Sequence, residues 1–126
     1  RIFECYREQL EGHPQFELLV PRSDAGFNYG YVLGYLRSGN RDERDQLVDK
    51  LAAENIHLRP GYPSMHRMPP YSQDRLLPNS DRYDRCGLVL PSAHSLTETD
   101  IAVVCERLDR VLSGKTESGE AVECDI

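Results

Sequence analysis

The side chains best suited to chemistry lie in one proline-rich stretch, RPGYPSMHRMPPY, at positions 59–71. His66 can donate, accept or hold a proton near neutral pH. Tyr62 can stack on a ring-shaped ligand, and the forked guanidinium of Arg67 suits a carboxylate or a phosphate. Each also has a structural interpretation. His66 could cap a turn, Tyr62 could pack the loop onto the rest of the protein, and Arg67 could pair with a nearby acid.

The four prolines of residues 59–71 restrict the backbone of this stretch. Each proline removes a backbone donor, fixes φ and limits the residue before it. We therefore expect a stiff loop here, neither a helix nor a central strand. A stiff loop on a folded scaffold is a common place for binding side chains.

Composition excludes several function classes. The 126 residues carry a net charge of −6 and only two lysines, Lys50 and Lys115, which argues against nucleic acid as a partner. No apolar run approaches the roughly 20 residues that a membrane helix needs, so we expect no membrane partner.

The cysteines predict neither a metal site nor a disulfide scaffold. They are widely spaced, at Cys5, Cys86, Cys105 and Cys124, with no C-x-x-C pair and no histidine at ligand spacing. We expect free or buried thiols, no bound metal, and a reducing, cytoplasmic setting.

Periodicity and turn residues predict an alternation of helices and strands. In chain order we expect a helix at 1–10, strands at 16–20 and 27–36, a helix at 41–54, a strand at 56–58, a short helix at 79–87, a strand at 88–90 and a helix at 98–112. The fold class is therefore α/β, a small two-layer sandwich. Its three- or four-stranded mixed or antiparallel sheet should carry helices mainly on one face. We expect a domain at 1–113 and a disordered tail at 114–126, because the tail is polar and acidic.

Capping residues mark two of these helices. Asn40 with Glu43, and Thr97 with Asp100, have the spacing of a capping box. Asn55 is suited to the left-handed conformation that follows a helix.

Two charged segments have no predicted role in binding. The stretch DRYDRCG at 81–87 is expected to be a solvated helix face that buries Tyr83 and Cys86. The stretch NRDERD at 40–45 is expected to be a charged helix start that favours the helix dipole and does nothing more.

Four short motifs follow one another in a suggestive order. They are Arg44-Asp45-Gln46-Leu47, Tyr62-Pro63-Ser64-Met65-His66, Leu90-Pro91 and Leu96-Thr97-Glu98-Thr99-Asp100-Ile101. Their order and spacing across residues 1–113 resembles the carboxy-terminal part of the nucleotide-sugar aminotransferases of the DegT/StrS family.

The resemblance implies a pyridoxal-phosphate enzyme of the aspartate aminotransferase fold. Such enzymes transfer an amino group, usually from glutamate, to a keto-sugar on a nucleotide or to a keto-cyclitol. A lysine of the large domain holds the cofactor, and the small domain helps enclose the substrate at a homodimer interface. His66 and Tyr62 match the histidine and tyrosine of the family motif. We therefore predict that His66, Tyr62 and the neighbouring Arg67 bind substrate.

The chain also departs from the family pattern. Met68 stands where glutamine is common, so substrate preference is expected to differ. Neither Lys50 nor Lys115 matches the cofactor lysine. We therefore expect no catalytic or cofactor-binding residue in this chain, and no activity from it alone. Pyridoxal phosphate should be bound mainly by the chain's own large domain, in a longer cytoplasmic homodimer. The alternative is a stand-alone α/β module for ligand binding, regulation or protein interaction, without pyridoxal chemistry.

Overall fold

The structure, a computed structural model, describes residues 1–26, 28 and 30–114. The expected disordered tail begins at the last of these residues, so that prediction lies outside the described residues. The same holds for Phe27 and Tyr29 of the second predicted strand. The domain boundary at residue 113 stays a prediction.

Four helices and four strands form the fold. The helices are α1 (Ile2–Leu10), α2 (Arg41–Ala52), α3 (Pro78–Cys86) and α4 (Glu98–Leu112). The strands are β1 (Phe16–Leu18), β2 (Val32–Leu36), β3 (Arg59–Pro60) and β4 (Gly87–Leu90), and a 3₁₀ turn spans Met65–Arg67. Every strand pair is antiparallel, in the order β1-β2-β4-β3. The predicted α/β class is confirmed, and the sheet, predicted to have three or four strands and to be mixed or antiparallel, has four antiparallel strands.

The core lies between the sheet and helices α1, α2 and α4. Strand β2 alternates between buried and half-buried residues, with Val32 and Leu36 in the core and Tyr35 between them. Helix α4 contributes a buried stripe that includes Ile101 and Leu108. Each fully buried aliphatic side chain contributes about 1.5–3 kcal/mol to folding, so this layer stabilises the scaffold that carries the loop.

The predicted caps are confirmed. The Asn40 side chain accepts from the Glu43 backbone N–H at 3.0 Å, and the Glu43 carboxylate accepts from the Asn40 N–H at 2.9 Å. Thr97 and Asp100 form the same reciprocal pair at the start of α4. Asn55 has φ 60°, the left-handed conformation expected of it, although α2 ends slightly earlier than predicted.

Two strand predictions need correction. The predicted strand at 56–58 is wrong, because Ile56 and Leu58 bury their side chains in the core while the strand itself forms at Arg59–Pro60. Strand β3 is an edge strand, where a missing proline N–H is tolerated. Strand β2 begins at Val32, five residues later than expected.

Helix α3 packs closely on the strand edge through Tyr83. A Cβ atom at Gly87 would lie 2.3 Å from the Tyr83 carbonyl oxygen, and one at Gly61 would lie 2.8 Å from Cε1 of the ring. The two glycines therefore allow the Tyr83 ring to rest on the backbone at Gly61, directly after β3, and at Gly87 in β4. Cys86 is buried as predicted, whereas Tyr83 is only half-buried.

Candidate functional site

A cavity of about 570 Å³ opens between the proline-rich loop, helix α3 and strand β2. Its lining comprises Leu19, Tyr35, Tyr62, Pro63, Ser64, Met65, Asn79, Ser80, Arg82 and Tyr83. The volume is within the usual range for small-molecule sites. The stretch predicted from sequence to carry chemistry thus forms one wall of a concave surface.

Aromatic rings dominate this cavity. Tyr35, Tyr62 and Tyr83 all line it, and Tyr62 is 56% exposed. The guanidinium carbon of Arg82 lies 4.1 Å from the centre of the Tyr35 ring, a cation–π distance. Burial raises the pKa of the half-buried Tyr83 phenol, so this hydroxyl stays protonated at neutral pH.

A second cavity of about 580 Å³ lies on the opposite side of α3. Arg67 lines it together with Arg41, Leu76, Pro78, Asp81, Asp84 and Arg85. Helical spacing explains why the two cavities are lined by different residues of α3, because residues 79, 82 and 83 share one face of the helix while residues 78, 81 and 85 share another.

His66 is held in the 3₁₀ turn between the loop and α3. It is only 8% exposed, and neither cavity includes it in its lining. Its Nε2 atom lies 3.2 Å from Asp81 Oδ1, yet the geometry is not that of a hydrogen bond. His66 is therefore seated against an acid on α3 and presents little surface to solvent.

Arg67 binds the same acid. Its Nε donates to Asp81 Oδ1 at 3.1 Å and its Nη2 donates to Oδ2 at 3.0 Å. This fork-to-fork contact holds the pKa of the Asp81 carboxyl below its usual range. The structure thus brings His66 and Arg67 together on Asp81, and it leaves Tyr62 on the other side of α3.

A buried carboxylate that the sequence did not single out holds the loop in place. Asp84 is 8% exposed; its Oδ2 accepts from the Ser64 backbone N–H at 2.8 Å. Its Oδ1 accepts from Arg41 Nη2 at 2.6 Å, and its backbone carbonyl accepts from the buried Arg44. Asp84 therefore joins the loop, α2 and α3 at one point.

The contacts of Asp84 show that two interpretations of the sequence were incomplete. The stretch 81–87 is not simply a solvated face, and the charged start of α2 does more than favour a dipole, since Arg41 and Arg44 both reach Asp84. The sequence carried no local signal for these contacts, because Arg41 and Arg44 lie 43 and 40 positions from Asp84 in the chain.

The described residues do not suit a metal or a covalently held cofactor. Across residues 1–26, 28 and 30–114, no three His, Cys, Asp or Glu side chains are grouped to hold an ion. Pyridoxal phosphate needs a lysine in a concave site, but Lys50 is exposed on α2 and the first cavity has no lysine in its lining. Among these same residues, no helix is long and apolar enough to span a bilayer.

Comparison with known proteins gives a consistent match. The sequence pattern of the DegT/DnrJ/EryC1/StrS aminotransferase family matches residues 1–109. The chain is 40% identical over 81 residues to a GDP-perosamine synthase of Caulobacter vibrioides, a match that covers 61% of this chain and 21% of that protein.

Solved structures agree with the sequence match. A structure of DesI in the presence of its TDP-sugar product is 26% identical, with a TM-score of 0.74 over 91% of this chain and 32% of that chain. The PLP-form of the putative sugar aminotransferase Spr1654 from Streptococcus pneumoniae is 14% identical, with a TM-score of 0.77 over 90% of this chain and 30% of that chain, and shows the shared fold. The chain spans between a fifth and a third of the length of these proteins.

Proposed function

The chain belongs to the DegT/DnrJ/EryC1/StrS aminotransferase family, and we propose that it is the carboxy-terminal small domain of a longer sugar aminotransferase. That enzyme would transfer an amino group from glutamate to a keto-sugar or keto-cyclitol, the sugar being carried on a nucleotide. The observation that carries the proposal is the family match over residues 1–109. The named relatives, a GDP-perosamine synthase and DesI with a TDP-sugar, support a nucleotide-linked substrate.

In this proposal, pyridoxal phosphate is bound mainly by a large domain outside the 126 residues. The exposed position of Lys50 and the absence of lysine from the first cavity's lining support that assignment. The longer protein would be a cytoplasmic homodimer with its active site between domains and subunits. The cofactor would supply the electron-sink chemistry when bound, and this chain would help to enclose and orient the substrate.

Tyr62, His66 and Arg67 are assigned substrate-binding roles, Tyr62 from the first cavity and Arg67 from the second, on the opposite side of α3. The exposed Tyr62 ring is already part of a cavity wall. The Nη1 group of Arg67 makes no hydrogen bond to any described residue, while Nε and Nη2 are held by Asp81. His66 lies against that same acid with only 8% of its surface exposed, and its assignment rests on its match to the family motif.

A half-reaction tests the proposal without knowledge of the sugar. The full-length protein, loaded with pyridoxal phosphate and given glutamate alone, should form about one equivalent of 2-oxoglutarate per cofactor. The 126-residue chain treated in the same way should form none. If no amino donor yields its keto acid with the full-length protein, the proposal is wrong, and a ligand-binding module without pyridoxal chemistry becomes the better interpretation.

A further inference from the structure

His13 lies in the turn between α1 and β1 and uses both of its ring nitrogens. The side chain is 7% exposed. Its Nδ1 atom accepts from the backbone N–H groups of Gln15 and Phe16, each at 3.1 Å. Its Nε2 atom lies 3.1 Å from Oδ1 of Asp109 on α4. The ring therefore connects two segments that are 96 positions apart in the chain.

These contacts define the protonation state of the His13 ring. Two N–H donors point at Nδ1, so this nitrogen has to offer its lone pair and carries no proton. The ionised carboxylate of Asp109 can only accept a hydrogen bond, so the proton of the neutral ring lies on Nε2. While the turn is intact, His13 is therefore neutral and in a single tautomer.

The turn built on Nδ1 sets the start of the edge strand β1. Pro14 has no N–H group, so the ring receives the next two donors of the chain. Phe16, the second of these, is the first residue of β1 and is fully buried. Leu19, directly after β1, belongs to the wall of the first cavity. The His13 ring thus supports a strand that leads into that cavity.

Three charged side chains approach His13. Asp109 is 60% exposed, so solvent weakens its attraction for a charged ring. Arg37, directly after β2, donates to the His13 carbonyl oxygen and also pairs with Glu17 on β1. From α1, the carbonyl of Leu10 accepts from the His13 backbone N–H. A second proton on the ring would therefore break both hydrogen bonds at Nδ1 and gain only a screened attraction.

We propose that the joint formed by His13, Gln15, Phe16 and Asp109 is an acid-sensitive switch. Proton uptake at Nδ1 turns an acceptor into a donor that faces two other donors, so the turn opens and the start of β1 is released. Free imidazole takes up a proton below about pH 6.5. Below that value the unfolded chain binds a proton that the closed joint excludes, so stability falls as the pH falls. The inference uses only residues of this chain and does not depend on the proposed function.

Ring-nitrogen NMR of the isotope-labelled 126-residue chain tests the closed joint. At pH 7.5 the His13 ring, assigned through its bonds to the backbone, should have a protonated Nε2 and an unprotonated, hydrogen-bonded Nδ1. A proton on Nδ1, or rapid averaging between the two tautomers, overturns the inference.

Urea unfolding from pH 5 to pH 7.5 tests the response to acid. His13→Asn keeps an oxygen that can accept from the following backbone N–H groups, but it binds no proton in this range. Relative to this variant, the folding equilibrium constant of the parent should fall by up to about tenfold per pH unit. His57→Asn, at an exposed position, is the matched control and should follow the parent. Parallel curves for the parent and His13→Asn overturn the inference.

Hydrogen exchange of the full-length protein locates the opening and needs no variant. Between pH 7.5 and pH 5.5, after correction for intrinsic exchange rates, the amides of Gln15 and Phe16 should lose protection by about tenfold. The amides in the middle of α4 should keep theirs. Equal protection of Gln15 and Phe16 at the two pH values overturns the inference, whether or not the protein transfers amino groups.

Discussion

At the scale of residues, two acids on α3 organise the region that the sequence marked for chemistry. Asp81 binds Arg67 and faces His66, and Asp84 binds the backbone of Ser64 together with Arg41. Sequence could indicate the loop and its histidine because proline restriction and side-chain type are local properties. It could not indicate the acids, because their partners lie between 14 and 43 positions away in the chain.

His66 is expected to affect turnover and not cofactor content. In the full-length enzyme, His66→Asn should lower kcat with a nucleotide keto-sugar by at least about tenfold, a modest loss for a group that directs or relays a proton. Bound pyridoxal phosphate should stay at the parent level. His57→Asn, at an exposed position, is the matched control. Parent-like kinetics in the His66 variant would instead indicate a histidine that only fixes the turn.

Asp84 is expected to stabilise the fold through its charge. Asp84→Asn weakens the hydrogen bonds from the Ser64 N–H and from Arg41. Loss of charge-assisted bonds at a buried site should lower the free energy of unfolding by about 1–3 kcal/mol, measured by urea denaturation of this chain. Asp74→Asn, at an exposed position, should cost less than about 0.5 kcal/mol. Equal midpoints for the two variants would contradict the role given to Asp84.

Cys105 gives a pH dependence with a defined sign. Burial, and then the neighbouring Cys5, raises the pKa of its thiol from 9.0 to about 12. Between those values the unfolded chain has released the thiol proton and the folded chain has not, so stability falls as pH rises above about 9. Burial also raises the pKa of Tyr6, which acts in the same direction above pH 10.

Urea unfolding measured from pH 8 to pH 10.5 checks this dependence. The free energy of unfolding of the parent chain should fall over this range. The slope for Cys105→Ala should be shallower, by an amount that corresponds to the release of at most one proton on unfolding. Parallel curves for the two proteins would show that the thiol ionises alike in the folded and unfolded chains.

At the scale of elements, the parts predicted correctly are those whose signals are local. The capping boxes that begin at Asn40 and Thr97 each span only four residues, so the sequence alone predicts where α2 and α4 begin. Strand β3 was misplaced because edge pairing with β4 depends on a partner 28 to 30 residues away. The close packing of α3 on the strands also could not be predicted. Gly87 does not adopt the left-handed conformation that marks a glycine in a turn; it is needed because any larger side chain would collide with Tyr83, which only the structure shows.

Gly87→Ala tests the packing of α3 on the sheet. The added Cβ would lie 2.3 Å from the Tyr83 carbonyl oxygen, which is backbone and cannot move aside freely. Overpacking of this kind should lower the free energy of unfolding by about 1–3 kcal/mol. Gly26→Ala, where the structure places nothing within 4 Å of the new atom, should change it by less than about 1 kcal/mol. If Gly87→Ala had the same free energy of unfolding as the parent, α3 would be shown to shift without cost and the packing argument would be wrong.

At the scale of the whole molecule, the fold and the site have different sources of support. The fold follows from the chain itself, with a core built from all four helices and from strands β1, β2 and β4. Under the proposed function the site would require more than this chain, because the cavity lined by aromatic rings and one arginine contains no lysine for pyridoxal phosphate. The chain covers 32% of the DesI chain, which supports the same proposal.

The attachment point of the cofactor tests that proposal most directly. Borohydride reduction of the full-length protein loaded with pyridoxal phosphate, followed by peptide mapping, identifies the lysine that carries the label. The label should lie on a lysine outside the 126 residues, and the peptides that contain Lys50 and Lys115 should be unmodified. Stoichiometric label on Lys50 or Lys115 would mean that this chain carries the chemistry itself.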